Sequence, residues 1–153
     1  MGNELYELEE GSNAMTFKFT SVGPNGAIPK LVIYTEIDNN NVYNLGFGDK
    51  NPNTGKIDDS VVTDNKDSQK VLATVASTVY AFFDKHPTAL IVATGSTKAR
   101  TRLYQMGISN NLEDITVDFN VFGRKGKIWC PFEKNIEYNA FIITLKENLI
   151  WKI

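Results

Sequence analysis

The feature that most constrains the fold of this chain is an alternation of apolar and polar residues with a period of two. Over residues 16–20, Phe17 and Phe19 fall on one face and polar residues on the other, which is typical of a half-buried strand. Turn-forming residues at 22–26 then lead into a β-branched, apolar stretch over 28–37. The pattern therefore predicts an antiparallel hairpin near the start of the chain.

Further strands are predicted from similar stretches. Gly46 and Gly48, near the end of the third strand, indicate a bulge or a close approach of another group to the backbone. A short apolar run at 89–93 is typical of a strand covered on both faces. The remaining strands are predicted at 42–47, 56–62, 115–122, 127–132 and 138–145.

Two helices complete the prediction. Apolar residues spaced by four, four and three positions indicate a helix over 67–85. The second helix is predicted over 97–106, with Ala99, Leu103 and Met106 facing the core and Gly107 ending it. The order ββββα-βα-βββ predicts an α+β fold, in which a curved, mostly antiparallel sheet carries both helices on one face. A length of 153 residues suits a single domain, 1–153.

Cysteine, histidine and hydropathy exclude several classes of protein. The chain has one cysteine, Cys130, and one histidine, His86, which rules out an internal disulfide and a Cys/His zinc cluster. No apolar run reaches the roughly 20 residues that span a bilayer. The acidic first ten residues do not resemble a secretory signal. We therefore expect a cytoplasmic protein with no membrane partner and no cofactor.

Charge is distributed unevenly around a net value of −2. Residues 1–66 contain five lysines and ten acidic residues, giving −5, whereas residues 67–153 contain eleven basic and eight acidic residues, giving +3. This distribution argues against indiscriminate binding of nucleic acid but leaves room for a local basic surface.

A strand that leads through Gly95-Ser96-Thr97 into a helix is the most specific candidate site. Unpaired backbone N–H groups at a helix start and nearby cations can bind an anion such as phosphate. The candidate ligand-binding residues are Gly95, Ser96, Thr97, Lys98, Arg100 and Arg102. The two arginines lie about 200° apart on a helix, so both cannot easily reach one small ligand. Alternatively, Ser96 or Thr97 is an ordinary N-cap and the arginines are solvated or paired with acidic residues.

The second candidate is the basic hairpin that contains Arg124, Lys125 and Lys127, between Phe122 and Trp129. Cations beside aromatic rings are a common arrangement for holding single-stranded nucleic acid. The alternative is a solvated hairpin whose aromatic rings point into the core.

Three weaker candidates stand beside these. A cluster of acidic residues could hold Mg²⁺ or act in acid–base catalysis: Asp49, Asp58, Asp59 and Asp64. Cys130 and His86 could form a catalytic pair, although Cys130 lies in an apolar strand that favours an inert thiol. The tail over 147–153 is apolar, and if exposed it would indicate a protein partner or a dimer.

Four stretches resemble a family of small bacterial proteins of unknown function, at residues 17–24, 43–49, 71–75 and 95–104 (GSTKARTRLY). The resemblance extends over nearly the whole chain and implies a cytoplasmic protein of one domain, with no assigned activity. The leading ββββα order is also similar to the repeat of Whirly and Pur-type nucleic-acid binders, by analogy of element order alone.

Three functions follow from these observations. The first is a non-enzymatic domain that binds phosphate-bearing ligands, chiefly single-stranded DNA or RNA. The second is a protein-interaction module, such as the neutralising partner of a toxin, because an acidic surface can recognise a basic partner. The third is a Mg²⁺-dependent hydrolase or nuclease that uses the clustered carboxylates.

Overall fold

The fold is built on one open sheet, in a computed structural model that describes residues 4–58 and 63–148. Within those residues the strands are β1 Glu9–Glu10, β2 Thr16–Gly23, β3 Gly26–Ile37, β4 Val42–Asp49, β5 Leu90–Ala93, β6 Phe119–Lys125, β7 Ile128–Pro131 and β8 Ala140–Leu145. The α-helices are α1 Ser68–Lys85, α2 Lys98–Asn110 and α3 Leu112–Asp118. The predicted α+β class is confirmed.

The order of the strands explains which loops meet at one end of the sheet. The order is β1-β2-β3-β4-β5-β8-β6-β7, and every pair is antiparallel except β4 and β5, which are joined by the α1 crossover. Phe141 at the start of β8 pairs with Ala93 on one side and with Gly123 on the other. The sheet therefore places the loop after β5 and the β6–β7 hairpin at the same end.

The core lies between the sheet and the predicted stripe of α1. Its buried residues include Val71, Val75, Val79 and Phe82. Phe82 stacks on Tyr34 of β3 with ring centroids 4.4 Å apart, and the Tyr34 hydroxyl lies 2.7 Å from Thr78 Oγ1. These contacts join the longest helix to the middle of the sheet. Among the described residues, no helix has the length and apolar character needed to span a membrane.

The predicted fourth strand, 56–62, is not formed over residues 56–58, and residues 59–62 lie outside the described part of the chain. Ile57 forms a single antiparallel bridge with Lys50, just beyond the end of β4. The Asp58 N–H donates to the Asp49 carbonyl at 2.7 Å, so residues 50–58 close a turn after β4 instead of continuing as a strand. The additional N-terminal strand is instead β1, which pairs with Phe17 and Lys18.

A third helix replaces the beginning of the strand predicted over 115–122. Residues Leu112–Asp118 are helical and β6 starts at Phe119. Ile115 is buried and Val117 is 68% exposed, because positions two apart lie on nearly opposite sides of a helix. Glu113 and Asp114 in its first turn favour the positive end of the helix dipole.

The second helix differs from its prediction in length and in orientation. It continues to Asn110, and its buried positions are Arg100, Tyr104, Gly107 and Ile108. Ala99 and Met106, predicted to face the core, are exposed. Gly107 does not end the helix: a Cβ there would lie 3.4 Å from Leu72 Cδ2, so the glycine permits close packing on α1.

Candidate functional site

A groove of about 1170 Å³ lies at the end of the sheet where the two predicted candidate segments meet. One wall is the exposed face of α2 together with the loop before it, residues 94–97. The other wall is formed by residues 124–126 of the β6–β7 hairpin and by the segment 135–139, which leads into β8.

Most of the candidate ligand-binding residues line this groove. They are Gly95, Ser96, Thr97, Lys98, Arg102, Arg124 and Lys125. The two remaining candidates are not among the lining residues: Arg100 is buried, and Lys127 is exposed at the turn of the hairpin. Two segments more than twenty positions apart in sequence therefore share one concave surface.

Gly95 shapes the loop before α2 by its lack of a side chain. A Cβ at this position would lie 2.3 Å from the backbone N of Thr101, so no larger residue fits without a shift. The Gly95 N–H also donates a hydrogen bond to Thr101 Oγ1 at 3.1 Å. The loop is thus held against the first turn of α2.

Thr97 is the N-cap of α2, as one of the two sequence alternatives predicted. Its Oγ1 accepts a hydrogen bond from the Arg100 N–H at 3.2 Å. The N–H groups of Lys98 and Ala99 belong to the same first turn, where an α-helix provides no internal acceptor. The positive end of a 13-residue helix therefore lies beside the groove.

Arg100 and Arg102 lie on different sides of α2, as their spacing predicted. Arg100 is 6% exposed, and its guanidinium donates hydrogen bonds to the carbonyls of Phe47, at 3.2 Å, and Asp58. Gly48 leaves space for it, since a Cβ there would lie 2.8 Å from Arg100 Nη1. The close-approach interpretation of Gly48 is confirmed. We assign Arg100 to the core and Arg102, which is exposed, to the groove.

Arg124 is held in a defined position on the opposite wall. Its Nε donates to Asn139 Oδ1 at 2.8 Å, and its guanidinium lies 5.7 Å from the ring centroid of Trp129. Trp129 therefore packs on the arginine and does not line the groove. Both contacts restrict the guanidinium, which lowers the entropy cost of binding an anion.

Gln105 joins the two walls, and sequence reasoning missed it. Its Nε2 donates to the Ile136 carbonyl, and its Oε1 accepts from the Tyr138 N–H at 3.2 Å. The signal that could have found it is helical spacing, because Gln105 follows Arg102 by three positions on the same face of α2.

Tyr138 fixes the floor of the groove near Gly123. A Cβ on Gly123 would lie 2.4 Å from the Tyr138 ring, so the ring packs directly on the strand. The hydroxyl accepts a hydrogen bond from the Glu133 N–H at 3.0 Å. Burial raises the pKa of Tyr138 above its ordinary value, which already keeps a tyrosine neutral at physiological pH.

The charge of the groove is positive. Lys98, Arg102, Arg124 and Lys125 oppose one carboxylate, Glu137, which leaves a net charge of +3 among the lining residues. The protein as a whole carries −2. The groove thus provides a local attraction for anions that the overall charge does not.

The clustered carboxylates do not assemble in the described residues. Asp49 is buried and forms an ion pair with Lys30, and its Oδ2 accepts from the Thr63 N–H at 3.2 Å. Asp64 is exposed and accepts from the Lys66 N–H at 2.9 Å. Asp59 lies outside the described residues. Within residues 4–58 and 63–148, no three His, Cys, Asp or Glu side chains are grouped to hold a metal ion.

Cys130 and His86 have separate surroundings. His86 Nε2 lies 2.7 Å from the Asn13 carbonyl oxygen, and its ring stacks on Phe82. The Cys130 thiol lies 3.6 Å from the Gly123 carbonyl oxygen. Neither side chain has the contact with the other that a nucleophile and its base require.

Comparison with known proteins identifies a family. The model of DUF6934, a family of unknown function, matches residues 2–146. The predicted resemblance to an uncharacterised family is therefore confirmed, while the bacterial origin stays a prediction. No curated protein and no solved structure matches the chain.

Proposed function

The chain belongs to the DUF6934 family, and because the function of that family is unknown, we propose from the groove itself that the protein is a non-enzymatic binding domain for phosphate-bearing ligands, chiefly single-stranded nucleic acid. One observation carries the proposal: the loop over 95–97, with Lys98 and Arg102 of α2, lines the same positive groove as the hairpin residues Arg124 and Lys125.

Phosphate suits the chemistry of these walls. An arginine guanidinium can contact two phosphate oxygens at once, and lysine adds a point charge. Arg102 and Lys98 lie one helical turn apart on one wall, and Arg124 faces them from the other. The hydroxyl group of Ser96, which also lines the groove, provides a further donor.

A chain-like ligand fits the groove better than a compact one. Its volume of about 1170 Å³ exceeds the typical range of roughly 300–1,000 Å³ for small-molecule pockets. The cations are spread over two walls of the groove. Successive phosphates of a flexible single strand suit such an arrangement, because each wall can hold a different phosphate.

Binding is tested with fluorescently labelled single-stranded DNA and RNA, followed by anisotropy over a series of salt concentrations. Wild-type affinity is expected to fall as salt rises, because cation–phosphate contacts release counterions. The variant with both Arg102→Ala and Arg124→Ala is expected to bind at least about tenfold more weakly. Its salt slope should be shallower by about 1.4, since each phosphate contact on a single strand contributes about 0.7.

The matched control removes two exposed lysines elsewhere, Lys18→Ala with Lys56→Ala, and so changes the net charge by the same amount. This control is expected to bind like the wild type. If both double variants bound single strands equally weakly, binding would depend on the net charge of the protein and not on the groove, which would contradict the proposal. An absence of wild-type binding at low salt would overturn the proposal.

The protein-interaction alternative depends on the acidic first half of the chain and on the tail over 147–153, of which residues 149–153 lie outside the described part of the chain. A partner for that tail and a cytoplasmic location therefore stay predictions. We therefore prefer ligand binding in the groove to the protein-interaction alternative, because the residues that form the groove are described.

A further inference from the structure

The groove changes character along the length of α2. Its charged end contains Lys98 and Arg102 from the first two turns, with Arg124 and Lys125 opposite. Its other end contains Met106, Ser109 and Asn110 from the last turns, with Asn135 and Ile136 opposite. Since a helix rises 1.5 Å per residue, the two ends are separated by roughly 10 Å.

The residues named at this end carry no charge and offer hydrogen bonds and apolar surface; the one carboxylate that lines the groove, Glu137, follows Ile136 in the chain. We call this part of the groove the neutral end. Asn110 and Asn135 are exposed, and an amide side chain can both donate to and accept from the edge of a base. Met106 is 39% exposed, and its polarisable thioether packs favourably on flat rings. A phosphate would find little to bind here, whereas an uncharged ring with polar edges would find both kinds of contact.

From this asymmetry we infer that the neutral end binds a nucleobase of the same strand whose phosphates occupy the charged end. The inference rests on the proposed function and deepens it, because it adds contact with a base to contact with the backbone. The base packs on the apolar surface of Met106 and Ile136, and its edge meets Asn110 and Asn135.

Aromatic stacking does not provide this contact. Tyr138 is the aromatic residue among those lining the groove, but it is only 3% exposed and packs against Gly123. Affinity for the base must therefore come from Met106, Ile136 and the two amides.

The experiment compares a single-stranded oligonucleotide with an abasic strand of equal length and charge, using anisotropy at fixed salt. The wild type is expected to bind the abasic strand about tenfold more weakly, the combined effect of roughly one sulfur–ring contact and one hydrogen bond. Equal affinity for both strands would overturn the inference and leave the proposed function intact. Binding of neither strand would overturn the proposed function itself.

Variants at the neutral end of the groove test whether the base binds there. Met106→Ala with Asn110→Ala removes one sulfur–ring contact and one amide, and is expected to reduce binding of the normal strand about five- to tenfold and to leave binding of the abasic strand unchanged. Val117→Ala, at a side chain that is 68% exposed on α3 and does not line the groove, is the control and should change neither. Equal losses for both strands in the double variant would contradict the assignment of this end to a base.

Discussion

Asp49→Ala is expected to destabilise the protein by about 3–5 kcal/mol, because it leaves the ammonium group of Lys30 buried without its partner. Lys30 is 3% exposed and Asp49 is 6% exposed, so water cannot replace the lost carboxylate. The same change removes the acceptor of the Thr63 N–H. Urea unfolding, followed by circular dichroism, measures the loss as a decrease in the free energy of unfolding.

Two controls separate the cost of leaving a buried charge unpaired from the cost of losing an ion pair. Glu10→Ala breaks the ion pair with Lys85, whose side chains are 40% and 54% exposed, and should cost no more than about 1 kcal/mol. The double variant Lys30→Met with Asp49→Leu removes both charges and should be more stable than Asp49→Ala alone. If Asp49→Ala were no more harmful than Glu10→Ala, the structural role of Asp49 would be wrong.

Arg100→Ala is expected to destabilise the protein by about 3 kcal/mol, because two backbone carbonyls lose a charged donor, each contact being worth about 1.5–3 kcal/mol. The guanidinium fork reaches Phe47 on β4 and Asp58 beyond it. Arg100→Lys should rescue little of the loss, since one ammonium cannot reproduce the fork. Thermal and urea unfolding of the wild type, Arg100→Ala and Arg100→Lys measure the change in the free energy of unfolding.

Arg102→Ala is the matched comparison, two positions along the same helix. Arg102 is exposed, so its removal should change the free energy of unfolding by less than about 0.5 kcal/mol while weakening the binding of single strands. If the Arg100→Ala protein were stable but bound single strands poorly, Arg100 would belong to the ligand site, as the sequence predicted.

Local patterns predicted the elements whose signals lie within a few residues of one another. The helix α1 has a clear apolar stripe, and the β2–β3 hairpin has strong turn residues at Pro24 and Asn25. The start of α2 was also predictable, because Thr97 is a typical N-cap after a buried strand.

The errors occurred where tertiary contacts override local preference. The core-facing side of α2 was misplaced because Arg100 occupies a buried position, and a charged residue is normally assigned to the surface. The alternation over 115–122 indicated a strand, yet its first part is the helix α3, whose Ile115 packs into the core.

The site itself was only half predictable. The sequence identified the Gly95–Arg102 unit and the Arg124–Lys127 hairpin as separate candidates. It could not show that they meet, because their proximity depends on β8, at Phe141, pairing between β5 and β6. Asn139, which positions Arg124, has no local sequence signal of that role, and the spacing of Gln105 from Arg102 indicates its face of the helix but not its contacts with residues 136 and 138.

Chemical-shift mapping shows directly whether the groove binds single-stranded nucleic acid. Uniformly ¹⁵N-labelled protein is titrated with a short single strand at low salt. We expect the changes in amide chemical shift to concentrate at residues 95–102, 124–126 and 135–139 and to leave β1 and β2 unchanged. No shifts at saturating strand, or shifts confined to surfaces outside the groove, would contradict the proposed function.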